Sequence, residues 1–165
     1  MKRIVVNCII RFYNRLEAYN QRIVYTRYRA QYEIDRKVRF NGKNIRLYGN
    51  GRIVIAENTY LGEMCNLQSS DNNIIQIGRN CAISHNVKIY TCTYDADNNF
   101  DNLPRVEVFG DVRIGNGVWI GVNVFIAPGV TIGNNCVIGA NSVITKDLMP
   151  NAIYGGVPAK LIRLK

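Results

Sequence analysis

A period of six residues predicts that this 165-residue chain is all-β, folded as a parallel β-helix. Three observations carry that reading. Ile114, Ile120, Ile126, Ile132, Ile138 and Ile144 recur at a strict spacing of six. The residue after each is small or polar: Gly115, Gly121, Ala127, Gly133, Gly139 and Thr145. Four places after each isoleucine stands another small or apolar residue: Val118, Val124, Val130, Cys136, Ser142 and Leu148. Neither the 3.6-residue period of a helix nor the two-residue period of a strand repeats at six. A hexapeptide repeat does, each hexad forming one flat side of a coil. The isoleucine fills the interior and stacks on its equivalent one coil away. The glycine or alanine stands beside the corner, where a large side chain is crowded and an unusual φ is expected.

The register continues backwards. Ile77-Gly78, Ile83-Ser84 and Ile89-Tyr90 form an earlier block, with Cys81 and Val87 at the fifth positions. Ile55-Ala56 and Leu61-Gly62 form another, with Thr59 and Cys65. From Leu67 to Ile77 the step is ten residues, so about four extra residues bulge near 69–73. From Ile89 to Ile114 the step is 25, and phase is lost. The chain therefore leaves the coil over about 91–113 and returns, and a long excursion from a rigid repeat is typically functional or disordered. Two units are expected: a basic amphipathic N-terminal segment, 1–40, and the β-helix, 41–165, with its excursion loop and a C-terminal tail.

The length suits one core. No stretch approaches the roughly 18 apolar residues of a membrane span. The N-terminus has a basic start but a short apolar part interrupted by Asn7, and no small-residue cleavage site follows it,. These features point to a cytoplasmic protein. Cys65, Cys81 and Cys136 occupy interior hexad slots, where cysteine acts as a small hydrophobe. Five cysteines without a C-x-x-C favour reduced thiols,. One histidine and no paired cysteines argue against a metal cluster.

Charge is lopsided. Residues 1–46 hold twelve Lys/Arg against Glu17, Glu33 and Asp35, which accounts for the net charge of +9. Segment 2–30 has helical spacing: Ile9, Phe12, Tyr13, Leu16, Tyr19, Ile23 and Tyr28, with Arg11, Arg15, Arg22, Arg27 and Arg29 between them. Three readings compete: a helical cap on the open end of the solenoid, a basic amphipathic helix on an anionic membrane, and a nucleic-acid binder. No nucleic-acid motif accompanies the charge, which disfavours the last. The first two are compatible, and placement at the inner membrane face would follow from the second.

Three stretches carry a family resemblance over residues 55–163. They are Ile114-Gly-Asn-Gly-Val-Trp-Ile-Gly121, Ile138-Gly-Ala-Asn-Ser-Val-Ile-Thr-Lys-Asp147 and the tail Gly155-Gly-Val-Pro-Ala-Lys-Leu-Ile-Arg163. This region resembles the hexapeptide-repeat acyltransferases, in particular the sugar O-acetyltransferase branch. The resemblance implies a left-handed coil, a homotrimer, and acetyl-CoA bound between neighbouring subunits. It implies a sugar or glycan acceptor in surface polysaccharide or lipid-linked glycan assembly, and a CoA site including Trp119, Gly121, Gly139, Ala140, Thr145, Lys146, Pro158 and Lys160. In that family a histidine takes the proton of the acceptor hydroxyl, which attacks the thioester while a backbone donor holds the oxyanion.

The sugar branch commonly has Ile-Tyr-Thr-x-x-His-Asp, and that histidine is the base. Here the run is Ile89-Tyr-Thr-Cys-Thr-Tyr94-Asp95, so Tyr94 stands in its place. The only histidine, His85, lies one hexad earlier, where other branches of the superfamily carry their base. Two mechanisms stay open. Either His85 is the catalytic base, with Tyr94, Asp95 and Asp97 shaping the acceptor pocket, or Tyr94 has replaced the base and activity is weak or lost. The loop is rich in Asp and Asn, and Tyr94 and Phe100 lie within it; short polar groups suit sugar hydroxyls and rings suit pyranose faces, though a solvated loop has similar composition. Trp119 points outward if Ile120 points inward, and Cys92 has no evident base beside it. A noncatalytic β-helix and an acetyltransferase with a small nonsugar acceptor remain the alternatives.

Overall fold

The computed structural model describes residues 2–165; Met1 lies outside them. From Glu33 the chain rises in coils of three short strands each, one strand per face. The first face stacks Glu33–Ile34, Arg52–Ile55, Ile74–Ile77, Val112–Ile114 and Thr131–Ile132. The second stacks Arg39–Asn41, Tyr60–Gly62, Ala82–Ile83, Trp119–Ile120, Val137–Ile138 and Ala152–Gly156, closed by Ala159–Leu164. The third stacks Arg46–Tyr48, Asn66–Gln68, Lys88–Tyr90, Phe125–Ile126 and Val143–Ile144. All these pairings are parallel except that between Ala152–Gly156 and Ala159–Leu164. The chain is thus a left-handed parallel β-helix of hexapeptide repeats with one N-terminal helix.

Register turns the hexads into columns. Ile55, Ile77, Ile114 and Ile132 pair in succession on the first face. Leu61, Ile83, Ile120 and Ile138 do so on the second. Leu67, Ile89, Ile126 and Ile144 form the third. All twelve are buried, as are Cys65, Cys81, Val87, Val118, Val124, Val130 and Cys136 at the fifth positions. Each large aliphatic side chain so removed from water contributes about 1.5–3 kcal/mol.

The corners differ from the sequence expectation in one respect. The left-handed backbone falls three places after the interior residue, not one: Asn58, Asn80, Asn86, Asn123, Asn135 and Asn141 all have φ between +56 and +60. Asparagine tolerates that region because its short amide bonds locally. The glycines one place after the interior residue answer crowding instead. A Cβ on Gly62 would lie 2.6 Å from the Ser84 carbonyl carbon, and one on Gly121 2.6 Å from the Ala140 nitrogen.

The coil also begins earlier than residue 41. Glu33–Ile34 and Arg39–Asn41 already pair with the second coil, because Val38 fills an interior slot and Phe40 continues the column of Leu61. The helix, Lys2–Gln31, closes the open end of this first coil. Tyr25, Tyr28 and Tyr32 donate hydroxyl hydrogen bonds to the carbonyls of Gly42, Ile45 and Gly49. Arg29 donates to those of Asp35 and Val38, at 2.7 and 2.6 Å. Among the described residues no helix is long and apolar enough to cross a membrane. The excursion is an antiparallel hairpin, Cys92–Tyr94 against Glu107–Phe109, and Val112–Ile114 is back on the first face.

Candidate functional site

The corner between the second and third faces forms a ridge on which the expected catalytic residue sits. A ladder of backbone bonds runs along it: Asn86 N–H to the Glu63 carbonyl, Asn123 N–H to that of His85, and Asn141 N–H to that of Val122. Glu63, His85, Val122 and Ala140 therefore stack corner over corner. Coils rise about 4.8 Å each, so His85 and Ala140 lie about 10 Å apart along the ridge. Gly62 and Gly121 let these corners close, since a Cβ on either would strike the backbone above.

His85 is exposed, and its ring leans back over the preceding corner. The Glu63 backbone N–H donates to its Nδ1 at 2.9 Å. That bond decides the tautomer. A neutral imidazole that accepts at Nδ1 carries its proton on Nε2, so the outward nitrogen is a donor. A ring placed to remove a proton has the opposite arrangement, with Nδ1–H donating and Nε2 free. In this geometry His85 offers a hydrogen bond to an oxygen.

The expected CoA residues fall into separate places. Gly121, Gly139 and Ala140 share the His85 ridge. Gly139 accepts the Ser142 hydroxyl at 2.7 Å, and that hydroxyl accepts the Gly156 N–H at 3.1 Å, tying the C-terminal hairpin to the ridge. Pro158 and Lys160 are on that hairpin, both exposed. Trp119 stands on the second face between Ala82 and Val137, 55% exposed, its outward orientation following from the burial of Ile120. Thr145 and Lys146 are exposed on the opposite edge of the third face, where the excursion also leaves.

Tyr94, Asp95 and Asp97 lie beyond that same far edge. Six residues separate His85 from Thr91, roughly 20 Å of extended chain, so one chain does not bring the loop to the histidine. Tyr94 meets Phe100 edge-on at 6.1 Å, and the Arg105 guanidinium lies 5.9 and 5.4 Å from the two ring centroids. Asp95 accepts the Asp97 N–H at 3.0 Å, a turn-forming bond within the loop. At the hairpin base Gln68, Tyr90, Cys92, Thr93, Tyr94 and Glu107 line an open cleft of about 290 Å³. Partial burial, Glu107 and Asp71 push the Cys92 thiol up, which suppresses the thiolate a nucleophile needs,. No group of three or more His, Cys, Asp or Glu among the described residues is placed to hold a metal ion.

Glu63 and Arg105 join the candidate site by contact, with His85 and with the Tyr94 and Phe100 rings, and neither is among the residues expected from the sequence. Glu63 was within reach: it stands two places after Leu61, as His85 stands two places after Ile83, so their corners must stack. Arg105 has no periodic signal, because the hairpin that carries it is outside the repeat.

Residues 111–146 match the family model described as bacterial transferase hexapeptide, six repeats. Among solved structures, the chain is similar to a galactoside acetyltransferase in complex with coenzyme A: 34% identity, TM-score 0.55, over 77% of this chain and 65% of that one. It is similar to a maltose O-acetyltransferase from Clostridium difficile: 32% identity, TM-score 0.55, over 76% and 66%. AntD, an N-acyltransferase from Bacillus cereus, in complex with dTDP and 3-hydroxybutyryl-CoA, gives 23% identity and TM-score 0.66 over 80% and 79%, a likeness of fold. The chain spans just under two thirds of the length of the galactoside and maltose enzymes. Residues 111–146 thus carry the bacterial transferase hexapeptide repeat, and the chain resembles acetyltransferases in both sequence and fold.

Proposed function

We propose that the protein is an acetyl-CoA-dependent O-acetyltransferase of a sugar hydroxyl, working in surface polysaccharide or lipid-linked glycan assembly. The observation that carries this is the likeness, at 34% and 32% identity over three quarters of the chain, to a galactoside acetyltransferase holding coenzyme A and a maltose O-acetyltransferase. The His85 ridge fits the donor. Gly121, Gly139 and Ala140 present little side chain there, leaving room for a thin pantetheine arm, and Trp119 and Lys160 stand exposed on the adjoining second face. A homotrimer belongs to the proposal. His85 and the Tyr94 loop lie at opposite edges of one face, and a neighbouring copy is what can bring a loop to a ridge. Tyr94, Phe100 and Arg105 then receive the sugar, with Asp97 exposed in the same loop.

For His85 the donor form decides the chemistry proposed. Its Nε2–H holds the thioester oxygen as that oxygen gains negative charge, a role worth about 10²–10³ in rate. The new bond joins the sugar oxygen to the acetyl carbon and the carbon–sulfur bond breaks. The hydroxyl proton ends on the thiol. The sequence expectation of a base at His85 requires the ring to give up the Glu63 N–H.

Thiol release from acetyl-CoA in the presence of simple sugars and oligosaccharides tests the proposal. His85→Ala is expected to lose about 10²–10³ in kcat, whereas His85→Gln, which keeps an N–H near the position of Nε2, recovers a large part of it. Equal loss in both variants, with activity that falls on acidification, would restore the base. A second reading is favoured by Tyr94 at the usual histidine position: a noncatalytic relative that binds without turnover. Native protein that binds CoA in calorimetry yet releases no thiol with any sugar would establish it.

A further inference from the structure

We infer that the N-terminal helix docks the protein on an anionic lipid bilayer, with the coil standing upright on the surface. The helix has two sides. Glu17, Tyr25, Tyr28 and Tyr32 hold the first coil: Glu17 pairs with Lys43, and the tyrosines bond its carbonyls. At 100° per residue, Val5, Ile9, Phe12, Leu16, Tyr19 and Ile23 fall within an arc of about 80°, centred about 160° from that docking side. This stripe runs about 27 Å along the helix. It looks away from the protein, with Phe12 64% and Tyr19 66% exposed. The tyrosine docking anchors only the C-terminal part, so the stripe is not a face that packing on the coil covers.

Charge chooses the occupant. Arg11, Arg15 and Arg22 lie within an arc of about 40° along one flank of the stripe. The only acidic residue of the helix, Glu17, is engaged with Lys43. Bringing two copies of the stripe together would set these arginines against one another, whereas an anionic bilayer neutralises them while the apolar residues enter the acyl boundary. The helix lies on the surface, since it is not apolar enough to cross.

The docking does not depend on the acyltransferase reading. One consequence does rest on it. With a helix about 10 Å thick beneath the first coil and His85 two coils above, the ridge lies about 20 Å from the bilayer. That distance fits a glycan acceptor carried on a lipid.

Co-sedimentation of the full chain with vesicles tests the docking. Vesicles of phosphatidylcholine and phosphatidylglycerol in equal parts are expected to take up the protein, and pure phosphatidylcholine far less. Arg11→Gln, Arg15→Gln and Arg22→Gln together should lower partitioning about 100-fold, near fivefold each, and raising salt should weaken native binding. Phe12→Ser with Leu16→Ser should release the protein without changing its thermal melting, because both side chains are exposed. Equal binding to both vesicle types, or by all variants, overturns the inference. So does a native protein that ignores vesicles but forms higher assemblies that the Phe12/Leu16 double variant abolishes, which would make the stripe a contact between copies. A variant that leaves the vesicles yet still acetylates a soluble sugar loses docking alone. Absent turnover in the native protein bears on the proposed activity and leaves the vesicle result standing.

Discussion

Two glycines four residues apart on one coil should respond to very different degrees to the same methyl group. At Gly121 an added Cβ meets three atoms inside contact distance: the Ala140 nitrogen at 2.6 Å, the Ala140 Cα at 2.9 Å and the Ile138 carbonyl oxygen at 2.9 Å. At least two belong to the corner directly above, and all are backbone, so no side chain can swing aside. The corner must lift against the Gly121 N–H bond to Ile138, itself 2.9 Å long. Overpacking of this kind costs about 1–3 kcal/mol, and a rigid obstacle puts Gly121→Ala at the upper end. At Gly117 nothing lies within 4 Å, but φ is +64. Alanine there meets about 1–2 kcal/mol of left-handed strain, offset by about 0.4–1 kcal/mol of lost unfolded-state freedom. With roughly 2–4 °C of melting temperature per kcal/mol for a chain this size, Gly121→Ala should lower Tm by about 5–10 °C and Gly117→Ala by about 3 °C or less. Differential scanning calorimetry at one fixed protein concentration measures both, which keeps assembly constant. A Gly121→Ala protein as stable as the native one, or Gly117→Ala the worse of the pair, would refute the close stacking of corners. The same substitution shifts Ala140, so CoA affinity should weaken with it if the proposed ridge is the donor site.

Other perturbations reach the core, the thiols and the loop. Ile120→Ala, in the middle of a continuous column and fully buried, should cost about 2–5 kcal/mol in urea unfolding,; a loss under 1 kcal/mol would mean that the interior collapses to fill the gap. Burial pushes the Cys65 thiol from its ordinary 9.0 up to about 11. A raised thiol pKa favours the folded state while the thiol is neutral, so this contribution is complete below about pH 9 and falls away as pH climbs towards 11,. Native protein should therefore lose about 2 kcal/mol over that window relative to Cys65→Ala, measured as the difference between their pH profiles; parallel profiles would contradict it. Arg105→Ala, which uncovers the Tyr94 and Phe100 rings, should raise KM for the sugar severalfold with kcat and CoA affinity little changed,. A change in CoA affinity instead would move the loop to the donor side.

The hexads alone settled the coil, because a period of six has one economical solution for a chain that must bury every sixth side chain and still bond each strand to another. The hexads on either side of the 25-residue break were legible, but that Ile114 stacks between Ile77 and Ile132 was decided by the structure, because phase is lost across the excursion. The basic amphipathic N-terminal segment was legible too, as a 3.6-residue period with charge. Tertiary structure decided what period cannot encode. It divided the helix into a tyrosine side that closes the first coil and an apolar side turned away from it, a matter of which carbonyls the first coil leaves open. It placed His85 at one edge of the third face and Tyr94 beyond the other, because the residues from His85 to Thr91 run the whole width of that face before the hairpin begins. It set the Glu63 N–H against His85 Nδ1, so that the outward nitrogen donates. A sequence names a histidine; only the neighbouring coil, 22 residues earlier, decides which of its nitrogens carries the proton, because that choice belongs to the partner and not to the ring.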